Sequence, residues 1–271
     1  MKKRVLLSFS GLLSITALLS FSWKSENNST KTASGAVADV FKISKVEHKT
    51  IIPVSELVYN QLNLASAGLD YDVFQKALTG YTNLTSSDPS ALKRPIITVV
   101  DFSKPSTEKR FWVIDLTAKK LLYSTWVSHG QGSGQKMAET FSNEPNSYQS
   151  SLGFYKTAEI YYGKHGRSLK LDGLDKGFND KARERAIVIH GADYANEDFI
   201  KKTGRLGRSQ GCPALPLNLS REIIDNIEGN TLMFIYGKDT KYSSNLLKSD
   251  ISYHLLYIIN IKSRRVPAFY V

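Results

Sequence analysis

A succession of strand-like segments is the feature that most restricts how this chain can fold. From residue 96 onwards the sequence is rich in β-branched and aromatic residues, which favour strands. The segment RFWVIDL (110–116) is apolar on both faces, so it predicts an interior strand, and TAKK joins it to the next segment as a hairpin. The predicted strands are IITVVDF, RFWVIDL, KLLYSTWVSH, LGFYKTAEIYYG, RAIVIHG and TLMFIYG. Together they predict a mainly β domain over residues 94–237 with few helices.

Helical periodicity is found on either side of this β-rich region and once within it. In residues 53–93 two amphipathic stretches, with Ser55 and Asp70 as candidate N-caps, predict a small helical hairpin before the domain. The segment 218–229 predicts one further helix, capped by Asn218 or Ser220 and ended by a glycine. The predicted apolar face of the second helix contains Val73, Phe74, Ala77, Leu78 and Tyr81.

The first 22 residues have the pattern of a secretory signal peptide. Three basic residues precede an apolar stretch, and Ser20 and Ser22 form a small-x-small cleavage signal. An uncleaved membrane anchor is the alternative. The stretch contains no cysteine, which excludes a lipoprotein anchor. We therefore expect export to the periplasm or cell envelope, with residues 23–52 as a flexible polar linker.

The net charge of +11 falls to +8 when the three basic residues of the predicted signal are removed. The C-terminal extension, residues 238–271, is basic and includes an apolar stretch, 255–261, that is too short to span a bilayer. This composition is compatible with contact to a membrane surface or to anionic envelope polymers. No basic block interleaved with aromatics points to nucleic acid. We expect a monomer.

The only cysteine, Cys212, lies in GRSQGCPALP (207–216). A lone thiol in an oxidising compartment cannot form an internal disulfide, so it is either buried and inert or kept for chemistry. The flanking Gly211 and Pro213 favour an exposed turn, which favours chemistry.

A cysteine nucleophile needs a base, and His190 is the best placed of the five histidines. It ends a predicted strand, 22 residues before Cys212, and a rigid strand end holds a base well. We expect the next residue, Gly191, to let substrate approach closely because glycine has no side chain.

Several motifs occur in an order that resembles the L,D-transpeptidase catalytic domain of the YkuD type, and more closely the murein L,D-transpeptidase catalytic domain branch. The resemblance covers roughly residues 55–245. It implies a β-sandwich or barrel-like catalytic domain. The motifs are VDFSKPSTEKRFWVIDL, VSHGQGSG, FSNEPNSYQSSLGFY, YYGKHGRSLKLDGLDKGFND, RAIVIHGADY and GRSQGCPALP.

The resemblance implies an acyl transfer on peptidoglycan stem peptides. The cysteine attacks the carbonyl of the L-centre of a tetrapeptide stem, D-alanine leaves, and an amine of a second stem takes the acyl group to form a 3→3 cross-link. Water as acceptor would give an L,D-carboxypeptidase instead. The reaction requires no metal, nucleotide or other cofactor.

The same resemblance assigns roles to residues of the two motifs. Cys212 corresponds to the nucleophile and His190 to the base, while Ser209 and Gly211 correspond to the Ser and Gly of the Ser-x-Gly-Cys motif. The oxyanion hole is predicted at the backbone N–H groups of Gly211 and Cys212, which a tight turn presents together.

Two departures from the commoner family pattern affect substrate binding. Gln210 stands where that pattern has histidine, and Ala214 stands where it has arginine. Arg208 or Arg205 is a candidate replacement for binding stem carboxylates.

Further residues are weaker candidates for the cleft. His129 is a candidate substrate contact or a structural histidine, and Asn143 and Ser151 are candidates to bind a peptide backbone or to hold turns. His165 is likewise a candidate structural histidine or a contact for an anionic stem. Tyr162 and Tyr194 are expected in the core.

Two other functions compete with catalysis. One is a zinc site at Cys212 and His190 with His129 or His165, although the paired ligand spacing typical of zinc is absent from the sequence. The other is a non-catalytic module that binds the wall through its basic charge. Other envelope cysteine peptidases place cysteine before histidine, opposite to the order found here.

Overall fold

The chain folds around one eight-stranded sheet, seen in a computed structural model that describes residues 53–248. The predicted signal peptide (1–22), the linker (23–52) and the apolar stretch 255–261 lie outside the described residues. The strands are β1 (Ile96–Asp101), β2 (Phe111–Asp115), β3 (Lys120–Thr125), β4 (Gly153–Gly163), β5 (Gly166–Gly173), β6 (Val188–Ala192), β7 (Ala214–Pro216) and β8 (Leu232–Tyr236).

The strand order in the sheet is β3-β2-β1-β8-β4-β5-β6-β7. The β1–β8 and β6–β7 pairs are parallel and the others are antiparallel. After β3 the chain continues to the opposite edge, where Ser128 bridges Ala214 and Gly130 bridges Ser209. These bridges nearly close the sheet, which confirms the mainly β, barrel-like fold.

The sheet has a hydrophobic core on each face because its central strands are apolar on both sides. Along β2, Phe111 and Val113 contribute to one core and Trp112 and Ile114 to the other, as period-two alternation requires. The prediction that this strand is interior is therefore confirmed: it lies between β1 and β3.

Within residues 53–248 the α-helices are α1 (Val54–Gln61), α2 (Tyr71–Ser87), α3 (Glu197–Thr203) and α4 (Leu217–Ile227), and α2 and α4 pack on the sheet. The helical hairpin is present, and the predicted apolar face of α2 packs into one core with strands β1, β2 and β8. Helix α4 inserts Ile223, Ile224 and Ile227 into the other core. The hairpin therefore shares its core with the sheet.

The helix starts are partly as predicted. Asp70 caps α2, and its carboxylate accepts a hydrogen bond from the Asp72 N–H at 2.9 Å. Ser55 is wrong as a cap, because α1 begins directly after Pro53. Asn218 and Ser220 are also wrong as caps, because α4 begins at Leu217 and both residues lie inside it.

The start of the C-terminal extension is part of the fold. Tyr242, Leu246 and Leu247 pack against the core beneath α2. The hydroxyls of Tyr242 and Ser244 both donate to the buried carboxylate of Asp175, at 2.8 and 2.5 Å. Across residues 53–248 none of the helices combines the length and the hydropathy needed to cross a bilayer.

Candidate active site

The pairing of β6 with β7 brings the two principal predicted residues into one region. In this parallel pair His190 lies opposite Ala214, only two residues beyond Cys212. The thiol in turn reaches the backbone of Val188, two residues before His190. His190 and Cys212 are 22 residues apart in the sequence, and the pairing of β6 with β7 brings their segments together, as predicted for a strand, a loop and a second strand.

The thiol of Cys212 is held by backbone groups at the start of β6. Its sulfur accepts from the Val188 N–H at 3.5 Å, and its S–H donates to the Ala186 carbonyl at 3.7 Å. The residue keeps partial exposure to solvent. Among the described residues no hydrogen bond joins the sulfur to the His190 ring.

Burial raises the pKa of the Cys212 thiol above its ordinary value of 9.0, because an anion is poorly solvated there. The Val188 N–H and the charges of Arg185 and Lys164 act in the opposite direction. Cys212 is therefore a neutral thiol, which would need a base to become reactive.

The ring of His190 is only 1% exposed, and its hydrogen bonding defines its tautomer. Nδ1 lies 2.9 Å from the Gly191 carbonyl, which can only accept, so Nδ1 carries the proton. Burial lowers the pKa of His190 below 6.5, with smaller contributions from His165 and Lys164. The ring is therefore neutral near pH 7, with the Nε2 lone pair available to take a proton.

The turn before Cys212 is fixed by Ser209. Its hydroxyl donates to the Cys212 carbonyl at 2.6 Å and accepts from the Gly211 N–H at 3.1 Å. Gly211 has a φ of +121°, and a Cβ there would lie 2.9 Å from the Gln149 carbonyl oxygen. Both motif residues therefore shape the turn.

The bond to Ser209 removes the Gly211 N–H from the donors available for an oxyanion. Of the predicted pair only the Cys212 N–H remains: within residues 53–248 it donates to no protein acceptor. We accordingly narrow the predicted oxyanion donor to the Cys212 N–H.

Arg185 is a site residue that the sequence reasoning missed. Its guanidinium donates to the carbonyls of Ser142 and Gln149, both at 2.7 Å, and it also bonds the Ser151 hydroxyl. It holds the 142–151 loop close to the Cys212 turn, and its charge acts on the thiol. No motif in the sequence marks an arginine whose partners are loop carbonyls and serine hydroxyls.

His129 is buried and has structural partners, in line with the structural alternative that the sequence offered for it. Its Nδ1 accepts from the guanidinium of the fully buried Arg110 at 2.8 Å, and its Nε2 faces the Gly134 carbonyl at 3.4 Å. Burial, followed by the charge of Arg110, lowers the pKa of His129 to about 3. It is a neutral structural histidine.

Asn143 and Arg208 also have structural partners. The Asn143 amide donates to the Asp180 carboxylate at 2.8 Å and its carbonyl accepts from the Lys181 N–H at 3.2 Å, so this residue holds a turn. Arg208 donates to the carbonyls of Gln131 and Gly134, at 3.2 and 3.0 Å, and braces that loop.

Gly191 has a packing role in the structure. A Cβ there would lie 2.4 Å from the Ser220 hydroxyl oxygen and 3.0 Å from Leu217, both on α4.

The prediction that Tyr162 lies in the core is wrong, since it is 73% exposed. It lies near the end of β4, where β4 and β5 form a two-stranded ribbon. Tyr194 is half-buried and packs on Gly207.

His165 occupies the turn between β4 and β5, and its ring stacks on that of His190. The ring centroids are 4.2 Å apart and the planes are inclined by 19°. Among the described residues no group of three His, Cys, Asp or Glu side chains has the arrangement of a metal site.

The L,D-transpeptidase catalytic domain family matches this chain over residues 65–236. This chain belongs to that family. The match includes α2, all eight strands and both motif residues, Cys212 and His190. No curated protein sequence is similar enough to count as a relative.

Solved structures of L,D-transpeptidases are similar to this domain at low identity. An L,D-transpeptidase from Mycobacterium smegmatis is 12% identical with a TM-score of 0.33, over 53% of this chain and 59% of that one. One from Stackebrandtia nassauensis is 14% identical with a TM-score of 0.34, over 64% and 68%. The cell-shape protein Pgp2 (K307A mutant) from Campylobacter jejuni is 14% identical with a TM-score of 0.36, over 69% and 63%. The matched region is thus about three-fifths of the Mycobacterium chain.

In this L,D-transpeptidase domain the two departures from the commoner motif have different settings. Gln210 is exposed, whereas Ala214 is fully buried as the first residue of β7 and exchanges backbone hydrogen bonds with Ser128. An arginine at position 214 would need a different arrangement of this sheet edge.

Proposed function

We propose that the protein is an exported cysteine acyltransferase that acts on peptidoglycan tetrapeptide stems, with Cys212 as nucleophile and His190 as base. The observation that carries the proposal is the β6–β7 pairing, which gathers the thiol of a partly exposed cysteine and a neutral imidazole at one end of the sheet. Membership of the L,D-transpeptidase catalytic domain family supplies the substrate class.

The first half-reaction forms a thioester. Nε2 of His190 takes the proton of the Cys212 thiol while the sulfur attacks the carbonyl carbon of the L-centre in the stem. The oxyanion that forms accepts a hydrogen bond from the Cys212 N–H. The bond to D-alanine then breaks, and the imidazolium returns its proton to the departing amine.

The second half-reaction consumes the thioester. An amine of a second stem attacks the same carbonyl, His190 removes the excess proton from the nitrogen, and the amide forms as the thiolate leaves and is reprotonated. This sequence gives the 3→3 cross-link. Water in place of the amine would release a tripeptide stem.

The charge around the thiol suits an anionic stem. Arg185 and Lys164 are the charged side chains that act on the sulfur, and both are cationic. A tetrapeptide stem ends in a carboxylate, which these charges attract and orient. The thiol must turn from the Ala186 carbonyl towards His190 when substrate binds, since the resting S–H points to that carbonyl.

The test is mass spectrometry of the intact protein after incubation with a disaccharide tetrapeptide or a carbapenem. We expect the wild-type protein to gain the acyl mass and Cys212→Ala to gain none. We expect His190→Gln to slow acylation by roughly 10²- to 10⁴-fold. His129→Asn is the matched control, because it alters a histidine outside the cleft. Adduct formation by Cys212→Ala would refute the assignment.

The products identify the acceptor. Cross-linked dimers joined through their third residues support the transpeptidase, and tripeptide stems alone support the L,D-carboxypeptidase. Salt-dependent binding to isolated cell walls with no change in stem peptides would support the wall-binding alternative and contradict catalysis.

A further inference from the structure

The stacked pair of imidazoles sets His165 apart from the other residues around the thiol. His165 belongs to the two-residue turn, Lys164–His165, that joins β4 to β5 between Gly163 and Gly166. Ser168, two residues after Gly166 on β5, pairs directly with His190 on β6. The ladder therefore places this turn above the ring of His190.

The two stacked histidines differ in their exposure to solvent. His165 is exposed, whereas His190 beneath it is almost fully buried. The His165 ring thus forms the cover that separates His190 from solvent on that side. The contact of His165 with the interior of the protein that bears on the site is therefore this stack on His190.

We propose that His165 is a positioning residue that stacks on His190, fixes the orientation of its ring and shields it from water. This proposal rests on the proposed function, because it assumes that His190 is the base. His165 is not assigned a role in bond making.

Two restraints then act on the base. The hydrogen bond from Nδ1 to the Gly191 carbonyl fixes one edge of the ring. The stack with His165 fixes its plane, so that Nε2 is held in one direction. Orientation of a base within hydrogen-bond reach is a precondition for proton transfer.

Shielding also acts on the protonation state of the base. Desolvation disfavours the imidazolium, and a charge on Lys164 or His165 disfavours it further. The neighbours from the other elements are uncharged: Ser168 on β5, Ala214 on β7, and Ser220 on α4 beside Gly191. The neutral thiol of Cys212 is the remaining titratable group of the site.

The experiment compares His165→Ala with His165→Phe. Phenylalanine keeps an aromatic ring over His190 but has no charge and no ring nitrogen. Tyr162→Ala is the matched control, since it removes another aromatic ring from the same hairpin. The Tyr162 ring contacts the Arg167 guanidinium. The readouts are the His190 titration by NMR, the pH profile of acylation, and kcat and KM measured separately.

For His165→Ala we expect the pKa of His190 to rise towards 6.5, because the ring gains solvent and loses a neighbouring charge. The acid limb of the acylation profile should move to higher pH. We expect the plateau value of kcat to fall about tenfold, with a smaller change in KM. This fall is smaller than the loss expected when the general base itself is removed. His165→Phe should keep most of kcat and a low pKa of His190, and Tyr162→Ala should match the wild type.

Two outcomes would overturn the proposal. An unchanged His190 titration and kcat in His165→Ala would show that the stack does not position the base. A loss in His165→Phe as large as that in His165→Ala would show that the imidazole itself, and not its stacked ring, is required. The NMR titration needs no turnover, so a wild-type protein without an acyl adduct would refute the proposed function while leaving the effect of the stack measurable.

Discussion

The Val188 N–H donates a hydrogen bond of 3.5 Å to the sulfur of Cys212, which ties the thiol to the strand that carries His190. The same sulfur directs its proton at the Ala186 carbonyl. The resting site therefore stores a neutral thiol beside a neutral imidazole instead of a thiolate–imidazolium pair. This arrangement makes the reactivity of the thiol in the free protein a direct test of the site.

We predict that alkylation of Cys212 by iodoacetamide rises with pH beyond 9.0, because burial raises the pKa of the thiol above that value. Arg185→Met should slow alkylation at pH 9 about two- to tenfold, since a cation that favours the thiolate is lost. Arg185→Lys keeps the charge and serves as the control. A rate that reaches its plateau near pH 7 would contradict the neutral-thiol site.

The strands and the turn that holds Cys212 could be predicted from the sequence because both depend on local patterns. β-Branched and aromatic residues mark β1 and β2, and an isolated cysteine between glycine and proline marks the turn. Strand β5 was missed because its outward positions, among them Lys170 and Asp172, are charged. Helix α3 was missed because its seven residues are too few for a periodic signal.

The surroundings of the site could not be predicted, because they depend on contacts between distant segments. Arg185 was missed since its partners, two backbone carbonyls and two serine hydroxyls, carry no sequence signal. The partner of His129 could not be identified because Arg110 lies 19 residues earlier. The packing role of Gly191 was missed because the atoms that a Cβ would meet belong to α4.

A second prediction concerns the buried pair of Arg110 and His129. His129→Ala leaves a buried guanidinium N–H without its acceptor, which should lower the free energy of unfolding by about 1–3 kcal/mol. His129→Asn places an acceptor oxygen near the same position and should recover much of this loss. Both variants should acylate at the wild-type rate in their folded state, measured below the unfolding transition.

The pH dependence of stability follows from the same histidine. In the folded state its pKa is about 3, below the ordinary 6.5, so the unfolded chain binds a proton that the folded chain excludes. Stability is therefore present above pH 6.5 and is lost as the pH falls towards 3. Urea unfolding of His129→Asn should show a shallower loss across this window, and an unchanged slope would contradict a neutral buried His129.

A further prediction tests the contact between β6 and α4. Gly191→Ala brings a methyl group within 2.4 Å of the Ser220 hydroxyl oxygen and should destabilise the fold by about 1–3 kcal/mol. Adding Ser220→Ala removes the nearest atom and should recover part of the loss, measured as a double-mutant cycle in urea. Additive effects of the two changes would show that this contact does not limit residue 191.

The last prediction concerns Ser244, which the sequence placed in an extension outside the domain. Its hydroxyl donates at 2.5 Å to the Asp175 carboxylate, which also accepts from the Phe154 N–H at 2.8 Å. Burial raises the pKa of this carboxyl, so each remaining donor is needed to stabilise its charge. Ser244→Ala should lower the free energy of unfolding by about 1.5–3 kcal/mol, as expected for a hydrogen bond to a charged group.

The matched control is Ser243→Ala, since the neighbouring serine is exposed. It should change stability by less than about 0.5 kcal/mol. Because β4 begins at Gly153, beside the loop that Arg185 holds against the nucleophile turn, a loosened Asp175 should also reduce acylation in Ser244→Ala. If both serine variants unfold at the same urea concentration as the wild type, residues 238–248 are an appendage and the domain ends at β8.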